Sequence, residues 1–120
     1  MCMSRIIAQL IYLQLQIRIY HWQTKSYARH KAFGKFYDSL GDLLDTFVET
    51  YQGIYGRVAF AQSLDLRNLD ETTDLEKILS NAISMLTNEV EDIQAHSDLL
   101  NIRDSIVGEM NHLRYLLTLE

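Results

Sequence analysis

No proline occurs in the 120 residues, so nothing in the chain removes a backbone donor or forces a kink, and long uninterrupted helices joined by a few loops are expected. A single cysteine, Cys2, excludes an intramolecular disulfide framework and fits a reducing compartment. The chain also lacks a glycine-rich phosphate loop, a Cys-x-x-Cys zinc spacing and a nucleophile elbow, which removes the commonest catalytic templates. Excess positive charge is missing too. Net charge is -5 and pI about 5.3, so the chain has no overall field for nonspecific nucleic-acid binding. Nucleic acid is not an expected partner, and the local basic cluster Lys25, Arg29, Lys31, Lys35 reads as a solvated helix start. Finally, no apolar run is long enough for a bilayer. The stretch from Ile6 to Ile17 is interrupted by Gln9, Gln14 and Gln16, is followed by Arg18, and precedes no small-residue cleavage pattern. Neither a signal peptide nor a membrane partner is expected.

What is present describes one soluble domain over residues 1–120, with 48% apolar and 22% charged residues. Four helices are expected and no strands. The first is capped by Ser4 and runs to about Gln23. Thr24 to Ala28 connects it to a second helix from about Arg29 to Tyr51. Gly53 and Gly56 loosen the chain, and Ser63 to Thr73 forms a long polar connection with room for a short helix at Arg57 to Gln62. Thr73 or Asp74 starts the third helix, with a stripe of Leu75, Ile78, Leu79, Ala82, Leu86, Val90 and Ile93. Ser97 caps the fourth, whose inner face is Leu99, Leu100, Ile102, Ile106, Met110, Leu113 and Leu117. Two short-turn hairpins tied by one long link predict an all-α, ferritin-like antiparallel four-helix bundle with a long crossover between helices 2 and 3. The first helix is apolar on more than one face, which points to a neighbouring subunit. Tyr12, Tyr20, Tyr37, Tyr51 and Tyr115 read as packing or interface residues, with Tyr115 closing the bundle end.

The segment from His21 to Glu49 carries the chemistry. With Asp45 set at 0° and about 100° per residue, Asp38, Glu49 and Asp42 fall at about 20°, 40° and 60°, and Gly34 and His30 at about -20° and -60°. Phe33, Phe36, Leu40, Leu43, Leu44 and Phe47 fill the opposite arc. One face therefore enters the core, and the other is an acidic stripe edged by a histidine. Carboxylates four residues apart ordinarily make only a solvated face, and a histidine beside a tryptophan is ordinarily a packing residue. His21 and His30 together with Asp45 and Glu49 nevertheless offer the mixed hard and borderline donors that iron accepts. Gln14, Arg18, His21 and Lys25 share the polar side of the first helix, so His21 suits a site shared between subunits. A competing intramolecular di-iron site would use Glu109-x-x-His112, but no matching histidine follows Asp45 or Glu49 by three residues.

The run His21-Trp22-Gln23, His30, and Asp45-Thr46-Phe47-Val48-Glu49 resembles the Dps mini-ferritins, with Asp45 fifteen residues after His30. That resemblance implies metal ligands His21 and His30 from one subunit and Asp45 and Glu49 from its two-fold partner, with Trp22 near enough to quench radicals. It implies iron as the metal, oxidation of iron(II) usually by hydrogen peroxide, and a homo-oligomer that is at least a two-fold dimer and in the family a hollow dodecamer. Three departures stand out. Gly34 replaces the family's further acid one turn after His30, the link between the two histidines is shorter than usual, and no basic DNA-binding tail is expected beyond the first or fourth helix. These make the chain resemble short ferritin-like proteins of bacteriophages, acting in the bacterial host cytoplasm. The alternative is a catalytically silent ferritin-like structural or adaptor protein, virion-associated or phage-encoded.

Overall fold

The side chains of Ser26 and Asp74 cap the second and third helices in a computed structural model that describes residues 3–119. Cys2 lies outside the described residues. The order is α1 (Met3–Gln23), α2 (Tyr27–Tyr55), α3 (Leu75–Asn88), a 3-10 turn (Glu91–Ile93) and α4 (Ser97–Leu116). No strand occurs among the described residues. The Arg29 N–H donates to the Ser26 hydroxyl at 3.2 Å, so α2 starts at Tyr27 rather than Arg29. Asp74 caps α3 in the same way, accepting from the Lys77 N–H at 3.0 Å. α2 runs on through Gly53 to Tyr55 and stops at Gly56, whose φ of 88° lies where a side chain is disfavoured.

Several expected boundaries shift. Ser4 lies inside α1, where its hydroxyl accepts from Gln62 Nε2 at 3.0 Å instead of capping. Residues 57–62 form no helix. Their polar groups are engaged elsewhere, with the Val58 N–H donating to Gln52 Oε1 at 3.1 Å. Ser97 is the first residue of α4, and His96 holds the cap position without a side-chain bond. Val90 and Ile93 stay buried but belong to the connection after α3.

α1 packs on α2, α2 on α4, α4 on α3, and α3 on α1. Each pair is antiparallel, as its end contacts show. Arg5 near the start of α1 meets Glu89 just after α3 at 2.5 Å. Arg114 near the end of α4 holds Glu76 in the first turn of α3 through two N–H donors, one at 3.1 Å. Arg29 at the start of α2 donates to the Leu117 carbonyl at 3.3 Å. The core is the arc expected on α2, with Phe33, Phe36, Leu40, Leu44 and Phe47 buried, meeting Ile6, Leu10 and Ile17 of α1, Leu79 and Leu86 of α3 and Leu99, Ile106 and Met110 of α4. Tyr115 does not close the end of this core: it is 60% exposed, whereas Leu113 is buried. It points outward because Leu113 and Leu116 already occupy the inward face of the last turn.

The segment between α2 and α3 follows α1 from one end to the other. Gln62 meets Ser4, the Asp65 carbonyl accepts from the Tyr12 hydroxyl at 2.7 Å, and the Leu69 N–H donates to Gln23 Oε1 at 2.7 Å. Between them Gln16, buried, both accepts from the Arg67 N–H at 2.6 Å and donates to the Arg67 carbonyl at 3.2 Å. One outer face of α1 is thus covered by its own chain, using glutamines that mimic a strand's paired donor and acceptor.

Candidate metal-binding site

His21 ends α1 and His30 lies one turn into α2, and the tight turn between them folds the two rings face to face. Their centroids are 3.9 Å apart at an interplanar angle of 14°. Each Nδ1 donates to the other residue's backbone carbonyl, His21 to His30 at 2.6 Å and His30 to His21 at 2.8 Å. A carbonyl can only accept, so both rings carry their proton on Nδ1 and, when neutral, hold the Nε2 lone pair for something else. Histidines that bind metal are commonly fixed in this way. The bonds also do structural work, because the His21 carbonyl is one of the acceptors that the last turn of α1 leaves unpaired.

Gly34 makes the stack possible. A Cβ built there would lie 2.9 Å from His21 Cε1 and 3.2 Å from His21 Nδ1. The position at which the resembling family carries an acid is therefore covered by the His21 ring itself. Gly41, two turns on, receives Gln14 in the same manner, and Gln14 Nε2 donates to the Tyr37 carbonyl at 3.0 Å. The Tyr37 ring makes a T-shaped contact with His21, centroids 5.4 Å apart, and the Arg18 guanidinium lies 4.9 Å from its centroid.

Asp45 and Glu49 are both exposed on the outer face of α2. Asp45 lies about 22 Å along the helix from His30, from 1.5 Å per residue. One chain therefore does not bring the four residues together, and among the described residues no three His, Cys, Asp or Glu side chains cluster closely enough to hold a metal. Asp45 instead borders an open groove between α1 and α2 with Asp38, Asp42, Arg18, Val48 and Phe60. The histidine stack adds its own constraint. With nearly parallel rings, an ion at bonding distance from both Nε2 atoms would sit well out of each ring plane, so a shared ion requires one ring to turn.

Trp22, next to His21 in sequence, is 67% exposed, and Tyr27, 74% exposed, has its ring centroid 6.4 Å from that of His30. The competing pair Glu109 and His112 borders a shallow crevice with Lys35 at the α2–α4 edge, outside the core. Nothing in the residue spacing singles out Gln16, which is buried. No helix among the described residues is long and apolar enough to cross a membrane.

An uncharacterized 14.6 kDa protein from the mobD-ri intergenic region of Enterobacteria phage T4 is similar to this chain. The two are 35% identical over 102 residues, covering 83% of this chain and 75% of the phage protein. No solved structure matches. Residues 21–117, which include the histidine pair, the acidic stripe and all of α2 but only the last three residues of α1, match DUF5856, described as a family of unknown function, and the chain belongs to that family.

Proposed function

We propose that this protein is a Dps-like iron-binding protein that oxidises or sequesters iron(II) at a site shared between two copies. The observation that carries this reading is the reciprocal Nδ1–H bonding of His21 and His30, which leaves both Nε2 lone pairs for a ligand. Imidazole nitrogen with carboxylate oxygen is a donor set that suits iron. Asp45 and Glu49 are exposed, and a second copy is the simplest way to bring them to the histidines. Gathering both imidazoles on one ion would break the stack and give up one Nδ1–H bond.

The fold we read here is the ferritin-like antiparallel bundle, its long crossover being the segment that follows α1 between α2 and α3. In the reaction, two iron(II) ions each give one electron to one hydrogen peroxide, which takes two protons and leaves as two waters. The imidazoles bind and orient, the carboxylates offset the rising charge of the metal, and Trp22 stands beside the site to take up stray oxidising equivalents. The similarity to a phage T4 protein supports a phage-encoded protein, and the host cytoplasm is the place this reading gives it. A closed homo-oligomer, dimer or larger, is the assembly this requires, and neither nucleic acid nor membrane enters the reading.

A second reading is a ferritin-like scaffold or adaptor without activity, and Gly34 favours it. The His21 ring lies where a further carboxylate would project, so one ligand is lost unless Asp38 or water replaces it. Anaerobic iron(II) titration of wild type and of the His30→Ala, Asp45→Ala double variant separates the two. The iron-binding reading expects saturable binding in wild type and its loss in the variant with helicity intact. No binding above buffer in wild type leaves the scaffold.

A further inference from the structure

α1 and α3 leave a cleft of about 450 Å³ between them. The Arg5–Glu89 pair shuts one end, and the segment that Gln16 ties down through the Arg67 backbone shuts the other. Buried Leu13 and Met85 and half-buried Ile78 and Ala82 give the cleft an apolar lining. Ala82 brings a single methyl group to a seam that a larger side chain would fill. Among the described residues, the charged groups that border the cleft are Arg5 and Glu89 at one end and Arg67 at the other. α1 borders it from Arg5 to Tyr20, over about 22 Å, so its mean cross-section is about 20 Å², the girth of one extended hydrocarbon chain. Two chains side by side do not fit.

We infer that this cleft binds one linear fatty carboxylate, its chain lying along Leu13, Ala82 and Met85 and its carboxylate at Arg67. From Gln16, which holds Arg67, to Arg5 is about 16 Å of helix, the length of about twelve carbons at about 1.3 Å each. The head belongs at Arg67 because the Glu89 carboxylate stands at the other end and already engages Arg5 at 2.5 Å. The Arg67 side chain is 70% exposed and pairs with Asp65, 84% exposed and two residues before it. So solvated a pair is weakly held, and Asp65 returns to water when a bound carboxylate takes its place. The Arg67 backbone is already fixed by its bonds to buried Gln16 at 2.6 and 3.2 Å, so binding does not have to order it. Met85 is unbranched and adapts to a flexible chain. None of His21, His30, Asp45 and Glu49 borders this cleft, so the inference stands apart from the iron reading.

The test is calorimetric titration of the full chain with dodecanoate, in chelator and below its micelle concentration. Wild type is expected to bind one dodecanoate per chain saturably, with the Ala82 and Met85 methyl resonances shifting as it binds. Ala82→Phe fills the cleft and should weaken binding at least about tenfold. Ala82→Leu, a smaller filling with the same expected direction, is read instead if circular dichroism shows that the phenylalanine variant is not folded. Arg67→Ala should weaken dodecanoate about tenfold, by loss of one charge-assisted bond, and leave dodecanol unchanged. Phosphatidylglycerol vesicles, which offer the same chains in pairs on a lipid, should not retain the protein in flotation. No saturable binding, binding as tight in the folded filled variant as in wild type, or an equal effect of Arg67→Ala on dodecanol and dodecanoate would overturn the inference. Retention by vesicles without binding of free dodecanoate would overturn it too.

Discussion

His21 lies flat on α2 because Gly34 has no side chain, and this contact decides what the residue-scale variants will do. Gly34→Ala gains about 1 kcal/mol of helix propensity but places a methyl group 2.9 Å from the His21 ring. Net stability should therefore change by less than about 1 kcal/mol, since the lost stack offsets the gain. The His21 and His30 imidazole proton resonances should nevertheless move apart from their wild-type positions. Unchanged resonances would show that the stack does not depend on the glycine. His30→Ala removes the donor to the His21 carbonyl at the end of α1. It should cost about 1 kcal/mol in denaturant unfolding, and hydrogen exchange should show a frayed last turn of α1.

At the scale of elements, the segment from α2 to α3 is tied to α1 by glutamines, of which Gln16 is the most buried. Gln16→Ala leaves both the N–H and the carbonyl of Arg67 without their partner. We expect a loss of about 1–3 kcal/mol, with limited proteolysis cutting between residues 56 and 74 before any helix is attacked. Cleavage no faster than in wild type would contradict this. These ties were not legible in the sequence, because a glutamine's side chain reports nothing about which distant backbone it meets. The helices themselves were legible, since the apolar arc of α2 and the start of α3 at Asp74 follow from local spacing and local hydrogen bonding, whereas the Ser26 cap, which starts α2 two residues before the expected Arg29, was not foreseen. The room for a short helix at Arg57 to Gln62 is not used, since the Val58 N–H turns back to Gln52 and Gln62 reaches Ser4. Tyr115 was misplaced because a helical period locates a stripe but not how many of its members the core can hold. For the site, spacing located His21, His30, Asp45 and Glu49 along their helices. Ring stacking and the cover over Gly34 depend on the angle of the turn, which spacing does not set.

At the scale of the molecule, the α3–α4 hairpin is fastened by Glu76 and Arg114. The Arg114 guanidinium holds the Glu76 carboxyl below its ordinary value of 4.5, aided by the Ser80 hydroxyl. A carboxylate with a lowered folded-state pKa contributes stability that is present above 4.5 and is lost as pH falls through the folded value. Thermal unfolding of wild type should therefore lose stability on acidification below that point, and Glu76→Gln should show a shallower loss over the same interval. Identical pH profiles would show that the pair does not contribute. The larger question is assembly, since one chain keeps the histidines and the acids apart. Mixing tests the shared site directly. A His21→Ala, His30→Ala chain and an Asp45→Ala, Glu49→Ala chain should each bind no iron alone. Their equimolar mixture, after subunit exchange verified by mass, should recover about a quarter of wild-type capacity, because half the dimers are mixed and each has one complete site. Recovery would place the four residues in one site built from two copies, and no recovery despite exchange, or full binding by either variant alone, would contradict it.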